Sequence, residues 1–251
     1  MMRDTHKAAE AELAGGRLFI AALPTPDVVS VEGSVFGGPN HVARAKEALP
    51  ILAAGLLDAG TTKKRKDAFR GALSDRAAEL SFFADGDRTY FSGRCFPEDL
   101  PFLLHAASES LTLAAFPEAE VRAAKARAAG NIREERSDTR AAAERALLNL
   151  LYDDAHVNHP GSLDAFERSV RSVRRPELLA FRKMLGTGGL VLSITGDLVP
   201  EEARAAADAA FKRLKRGTEA GVPKIRNRKM PNADVKLIPM RDKANVDVFL
   251  G

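Results

Sequence analysis

The five histidines, His6, His41, His105, His156 and His159, are the first side chains to consider as metal ligands or proton carriers. His6, His41 and His105 are isolated, and His105 lies in the apolar run PFLLHAA, the setting of a half-buried helical histidine. His156 and His159 are three apart and follow Asp153 and Asp154. On a helix that spacing would place two ligands on one face. The stretch runs into His159-Pro160-Gly161, however, and reads as loop. Glu134, Glu135, Asp138 and Glu144 could act as paired acids, but Arg133, Arg136, Arg140 and Arg145 alternate with them, the pattern of solvated helix ion pairs. Cys95 is the only cysteine, which excludes an intramolecular disulfide and a Cys-rich zinc module. Beside Arg94 at a strand end it reads as a small core or interface residue. Nucleophile and P-loop motifs are absent. Gly186-Thr187-Gly188-Gly189 precedes a strand, whereas a phosphate-cradling loop follows one.

The elements that would carry these residues alternate short strands with Ala-rich helices. Residues 17–23 and 28–36 are rich in Val, Ile and Phe and read as strands. Residues 43–59, containing ALPILAAGLLDA, read as a central buried helix stopped by Gly60. A second helix is expected over about 65–78. Asp85-Gly86 between two β-rich runs predicts a hairpin with arms 79–84 and 88–95. Pro97 and Pro117 each stand before an acid and open helices, as a residue without an N–H can in the first turn. Helices are expected over 97–114, 117–136, 139–153, 176–186 and 200–215, with a buried strand at Leu190–Thr195. Residues 154–172 read as irregular and 216–233 as a linker. The runs 234–240 and 244–250 look like strands. The order β-β-α-α-β-β-α-α-α-loop-α-β-α predicts an α+β fold, with a mostly antiparallel sheet covered on one face by helices.

The chain has 251 residues, 45% hydrophobic and 29% charged, a globular balance. No apolar run is long enough to span a membrane. The N-terminus MMRDTHKAAEAE is charged, helical in character and without an apolar signal core, so the compartment is cytoplasmic by default. The net charge of +4 is concentrated in residues 212–243, which hold eleven Lys/Arg against three Asp/Glu. No aromatic residue interleaves these charges, so the run reads as a solvated linker and no nucleic-acid partner is expected. Arg outnumbers Lys and Ala is abundant, a composition of GC-rich bacterial sources.

Three segments taken in order resemble one family. They are residues 49–100, containing GLLDAGTTKKRKDAFRGAL and the SFFADGDRTYF hairpin; residues 116–160, from FPEAEV to NHP; and residues 172–211, containing LVLSITGDLVP. Together they look like a domain of the pitrilysin/insulinase zinc peptidases, which include the mitochondrial processing peptidase. AGGRLFIAALPTPDVVSVEGSVFGG is similar to that family's opening strands. The resemblance spans about residues 12–216 and implies a metallopeptidase-like α/β roll. It divides the chain into a peptidase-like domain, 1–216, a basic linker, 217–233, and the truncated first strands of a following similar domain, 234–251.

The resemblance also marks a departure. Active members carry His-x-x-Glu-His before Gly-Thr, two histidines for Zn²⁺ and a glutamate to activate water. Counted back from Gly60-Thr61, those positions fall on Ile51, Ala54 and Gly55, none of which can ligate zinc or take a proton. Glu134 or Glu135 stands near the place of the third ligand, and one carboxylate cannot hold a catalytic metal. No catalytic, cofactor-binding or metal-ligating residue is therefore expected, and no cofactor. The implied role is a non-catalytic domain or subunit that completes a peptide-binding chamber with a catalytic zinc-peptidase partner. The alternative is a structural or assembly protein of the same fold. In active relatives the substrate, an unfolded peptide, adds as a strand along the sheet edge. The corresponding strand here is Glu79–Ala84, whose Leu80, Phe82 and Phe83 face either the core or a chamber.

Overall fold

The fold is given by a computed structural model that describes residues 9–154, 156–217 and 235–251. Strands β1 (Ala9–Leu13) and β2 (Gly16–Ala22) form an antiparallel hairpin with Leu13 opposite Gly16. Its two turn residues, Ala14 and Gly15, take positive φ of 49° and 85°, the backbone that a two-residue hairpin turn requires. This corrects the helical reading of residues 9–12: AEAEL alternates, burying Leu13 and exposing Glu10 and Glu12.

Strand β3 (Val29–Phe36) leads through two short 3₁₀ turns to helix α1 (Ala48–Ala54). Helix α2 (Lys66–Ser74) is followed by the hairpin β4 (Glu79–Asp85) and β5 (Arg88–Cys95). The helices α3 (Leu100–Leu113), α4 (Glu118–Arg136), α5 (Thr139–Leu151), α6 (Leu163–Ser172) and α7 (Arg175–Arg182) come next. Strand β6 (Val191–Gly196) and helix α8 (Pro200–Phe211) complete the order.

Among the described residues the six strands make one sheet in the order β1-β2-β6-β3-β5-β4. Only β2 and β6 run parallel; the other neighbours are antiparallel. Helix α1 packs on β4 and β5, α3 on β5 and α8, and α8 on β1 and β2. That covered face buries Leu18, Ile20, Val31, Phe91, Leu192 and Ile194. The opposite face carries Ser30, Glu32, Ser92, Arg94, Ser193 and Thr195, all half-buried or exposed. The fold is thus α+β with a largely antiparallel sheet, as expected. Gly33 faces Phe91 across the β3–β5 register, and a Cβ there would lie 2.0 Å from the ring, so only glycine fits.

Three further expectations differ from the structure. The buried helix expected over 43–59 is regular only at Ala48–Ala54, because Gly55 caps it; the apolar run then continues as turns that bury Leu56 and Leu57. Residues 163–172, read as irregular, are α6, whose Ser162 Oγ accepts from the Ala165 N–H at 3.2 Å in an N-cap. The runs expected as strands at 234–240 and 244–250 contain no strand among the described residues. They lie along α5 instead, with the Thr139 hydroxyl donating to Asp247 Oδ2 at 2.5 Å. Residues 218–233 of the predicted linker fall outside the described residues.

Candidate functional site

Helix α1 sets the geometry of the site. The Gly55 N–H donates to the Ile51 carbonyl at 3.1 Å, so these residues stand one turn apart on one face. That face is open: Ile51 is 39% exposed, and Gly55 is exposed. Ala54 is buried. The helix thus presents two positions at ligand spacing beside the edge hairpin, occupied by a butyl group and a hydrogen. Neither donates an electron pair.

The acids from α4 are exposed or already paired. Glu134 is exposed. Glu135 is half-buried and pairs with Arg145 of α5, which also donates to the Pro160 carbonyl at 3.0 Å. Glu135 therefore helps tie α4, α5 and the Asn158-His159-Pro160 loop together. Among the described residues no group of three His, Cys, Asp or Glu is placed to hold a metal.

Strand β4 is the sheet edge, as the family resemblance implies, and its side chains alternate. Leu80 and Phe82 are partly buried against the core, with Phe82 6.2 Å from Phe91. Phe83 points the other way and is 52% exposed. Its ring stacks on Tyr90 of β5 at 4.8 Å and 11°. The edge therefore carries an aromatic pair on its open side, beside the polar Glu79 and Ser81.

At the turn of this hairpin a cavity of about 850 Å³ opens between residues 39–47, Asp85-Gly86, the end of α5 and the 152–160 loop. Arg44 organises one wall, donating to the carbonyls of His156 at 2.9 Å and His159, and pairing with Glu47. Burial pushes the Glu47 carboxyl above the usual carboxylate range, against the pull of Arg44. The two histidines do not form a metal pair. His156 Nδ1 accepts the Asn158 N–H at 3.0 Å, and His159 Nδ1 accepts the Gly161 N–H at 3.2 Å while its Nε2 faces Asp154 Oδ1 at 3.2 Å. Arg44, Glu47 and Tyr152 were not legible as cavity residues; the signal was the proximity of Asn158-His159-Pro160 to the hairpin turn, which only the fold supplies.

The remaining candidates are structural. His105 faces the buried Glu109 at 3.7 Å, and Glu109 also accepts from the Thr61 hydroxyl at 2.6 Å. The Cys95 thiol is buried, and burial, then Asp99 and Glu98, push its pKa up to about 12, the opposite of a nucleophile's. Gly186 packs directly on the Lys215–Gly217 backbone in a tight turn.

No protein-family profile matches the sequence, and no curated protein sequence does. Solved structures do match. The inactive domain of a peptidase M16 from Pseudomonas fluorescens gives a TM-score of 0.77 at 18% identity, over 88% of this chain and 53% of that one. A protease from Helicobacter pylori gives 0.75 at 14% identity, over 88% and 54%. The first half of the periplasmic protease PqqL from Escherichia coli gives 0.72 at 17% identity, over 89% and 50%. The chain spans about half the length of these structures. It has the fold of the peptidase M16 domain, the pitrilysin type. No helix among the described residues is long and apolar enough to cross a membrane.

Proposed function

We propose that this chain is a non-catalytic domain or subunit of a pitrilysin-like zinc-peptidase assembly, and that it helps form a peptide-binding chamber with a catalytic partner of the same fold. The observation that carries this is the pairing of two features. Helix α1 shows Ile51 and Gly55 at ligand spacing on an open face, and the neighbouring edge strand shows an aromatic pair, Phe83 on Tyr90. The surface is shaped for a peptide, and the chemistry that would cut one is missing from it. An extended peptide adds to such an edge through main-chain hydrogen bonds, with pockets and rings reading alternate side chains.

The same reading assigns residues 1–216 to the peptidase-like domain, 217–233 to a basic linker and 234–251 to the first strands of a following domain. Residues 235–251 pair with no strand among the described residues, but Val246, Val248 and Leu250 are all more than 70% exposed and spaced two apart, an alternation that would suit one face of a strand once a sheet lies beside it. The half-length coverage of the solved matches agrees with this division.

The test is a binding titration of an extended, uncharged peptide on the wild-type chain and on Phe83→Lys, with cleavage followed in parallel. Binding without cleavage by the wild-type chain, weakened in Phe83→Lys, is expected. A chain that binds no peptide would instead have the assembly role alone.

A further inference from the structure

The tip of the β4–β5 hairpin is chemically reactive. Asp85-Gly86 is the one Asp-Gly step in the sequence, and it stands where β4 ends. An aspartyl side chain closes most readily on the next main-chain nitrogen when that nitrogen belongs to glycine, which puts no Cβ in the way.

The structure sets up that closure. The Gly86 N–H donates to Asp85 Oδ1 at 2.8 Å, so the carboxyl lies against the nitrogen it would bond. Asp85 is exposed to water. A Cβ built on Gly86 would meet only Asn40 Nδ2, at 3.9 Å, so the nitrogen is approached through open space. The atoms beyond it are held. The Gly86 carbonyl accepts from the Asn40 N–H at 2.9 Å, and the Asp87 carbonyl accepts from the Gly37 N–H at 3.1 Å and faces His41 Nε2 at 2.7 Å. Asn40 Nδ2 donates to Asp87 Oδ1 at 3.1 Å. One side of the bond is thus anchored, while the Asp85 side chain stands in solvent.

We propose that Asp85-Gly86 is a site of spontaneous isoaspartate formation in the folded chain, and that the product loosens the β4 edge. The Gly86 nitrogen attacks Cγ of the protonated Asp85 carboxyl. The N–Cγ bond forms, the Cγ–OH bond breaks, and the hydroxyl leaves as water with the amide proton. The product is a cyclic succinimide. Water then opens the ring in one of two ways. Addition at Cγ breaks the N–Cγ bond and restores aspartate. Addition at the Asp85 main-chain carbonyl carbon breaks its bond to the Gly86 nitrogen. The chain then runs through Cβ and Cγ, longer by one methylene, and the former main-chain carbonyl becomes a free carboxylate. Water is the only co-reactant.

The added length falls at the end of a continuous ladder. Strand β4 pairs with β5 from Glu79 opposite Arg94 to Asp85 opposite Arg88. Because residues 37–41 hold Gly86 and Asp87, the extra atom is taken up on the β4 side. A strand displaced along its partner loses the alternation that sets Phe82 inward and Phe83 outward.

The experiment keeps the whole folded chain in neutral buffer at physiological temperature for several weeks and maps its proteolytic peptides. The peptide holding Asp85 is expected to split into two chromatographic species of equal mass, with a transient third that is lighter by one water. Electron-transfer fragmentation should place the isoaspartate at residue 85. Asp85→Asn reaches the same ring with loss of ammonia and should convert faster. Asp85→Glu, whose ring is one atom larger, should stay as a single species. In the converted protein, amide hydrogen exchange at residues 80–84 should be faster, and at residues 191–196 of β6 unchanged. A single Asp85 peptide throughout, conversion only in the urea-unfolded chain, or equal conversion in Asp85→Glu overturns the site. Conversion without faster exchange in β4 overturns its effect on the edge.

Discussion

Ile51 and Gly55 are joined by one helical hydrogen bond of 3.1 Å and open the same face of α1 to solvent. That relationship is the framework of a two-ligand metal site with the ligands replaced. Wild-type protein equilibrated with zinc and then dialysed is expected to hold no stoichiometric metal. Ile51→His/Gly55→His should bind zinc about tenfold or more tightly than wild type, since i and i+4 imidazoles share a face. Metal analysis by mass spectrometry checks both; a tightly held equivalent in the wild-type chain would sink the non-catalytic reading.

Leu56 is 1% exposed and sits just beyond the end of α1. Leu56→Ala should cost about 2–5 kcal/mol of unfolding free energy, as burial of a whole leucine side chain implies. A urea titration that finds less than about 0.5 kcal/mol would put this segment at the surface.

Gly33→Ala places a methyl group 2.0 Å from the Phe91 ring. Overpacking of this kind typically costs about 1–3 kcal/mol. Because both residues share one space, a Gly33→Ala/Phe91→Leu double variant should lose less than the sum of the single losses. Strict additivity in the cycle would show that the ring moves freely aside.

Phe82 and Phe83 are adjacent but face opposite ways, one against the core and one half exposed. Phe82→Lys should unfold or strongly destabilise the domain, by about 3 kcal/mol or more. Phe83→Lys should stay within about 1 kcal/mol of wild type. Thermal denaturation separates them, and unfolding of both variants would make β4 an interior strand.

Cys95 gives a pH signature. Its folded thiol pKa is about 12, raised from 9.0 by burial first. The unfolded chain loses that proton earlier, so above pH 9 it binds fewer protons than the folded chain. Stability should therefore fall as pH rises from 9 towards 12, by at most about 1.4 kcal/mol per unit from this group. Cys95→Ala should flatten that limb relative to wild type. An identical slope in the two proteins contradicts the burial of the thiol.

The sequence was informative wherever one residue type dictates a local backbone. Asp85-Gly86 marked the turn between β4 and β5, and Gly86 does take φ of 51°. Pro97 and Pro117 marked helix starts, because a proline can stand only in a first turn. What escaped were elements fixed by long-range contact. AEAEL is short and Glu-rich, and it becomes β1 only because β2 lies beside it. The loop around His159-Pro160 masked the cap at Ser162, so α6 was missed. For the site, the identity of Ile51, Ala54 and Gly55 was readable, while the open face that Ile51 and Gly55 share, with Ala54 turned inward, was not, since exposure depends on what else packs there. The cavity was invisible for the same reason: Arg44 meets the carbonyls of residues more than a hundred positions later in the chain.

Strand β6 lies between β2 and β3, pairing in parallel with the first and antiparallel with the second. It is the last in chain order of the described strands and the one that joins the two halves of the sheet. On the ribosome, then, the β1–β2 hairpin and the β3–β5–β4 unit are finished early and must each wait with an apolar inner edge unpaired. They wait until residues 191–196 emerge and dock. Such pairing across most of the chain is slow, and the interval leaves ready templates for wrong partners. Yield in a cell should accordingly depend on how long nascent chains are shielded, more than on the stability of the finished domain.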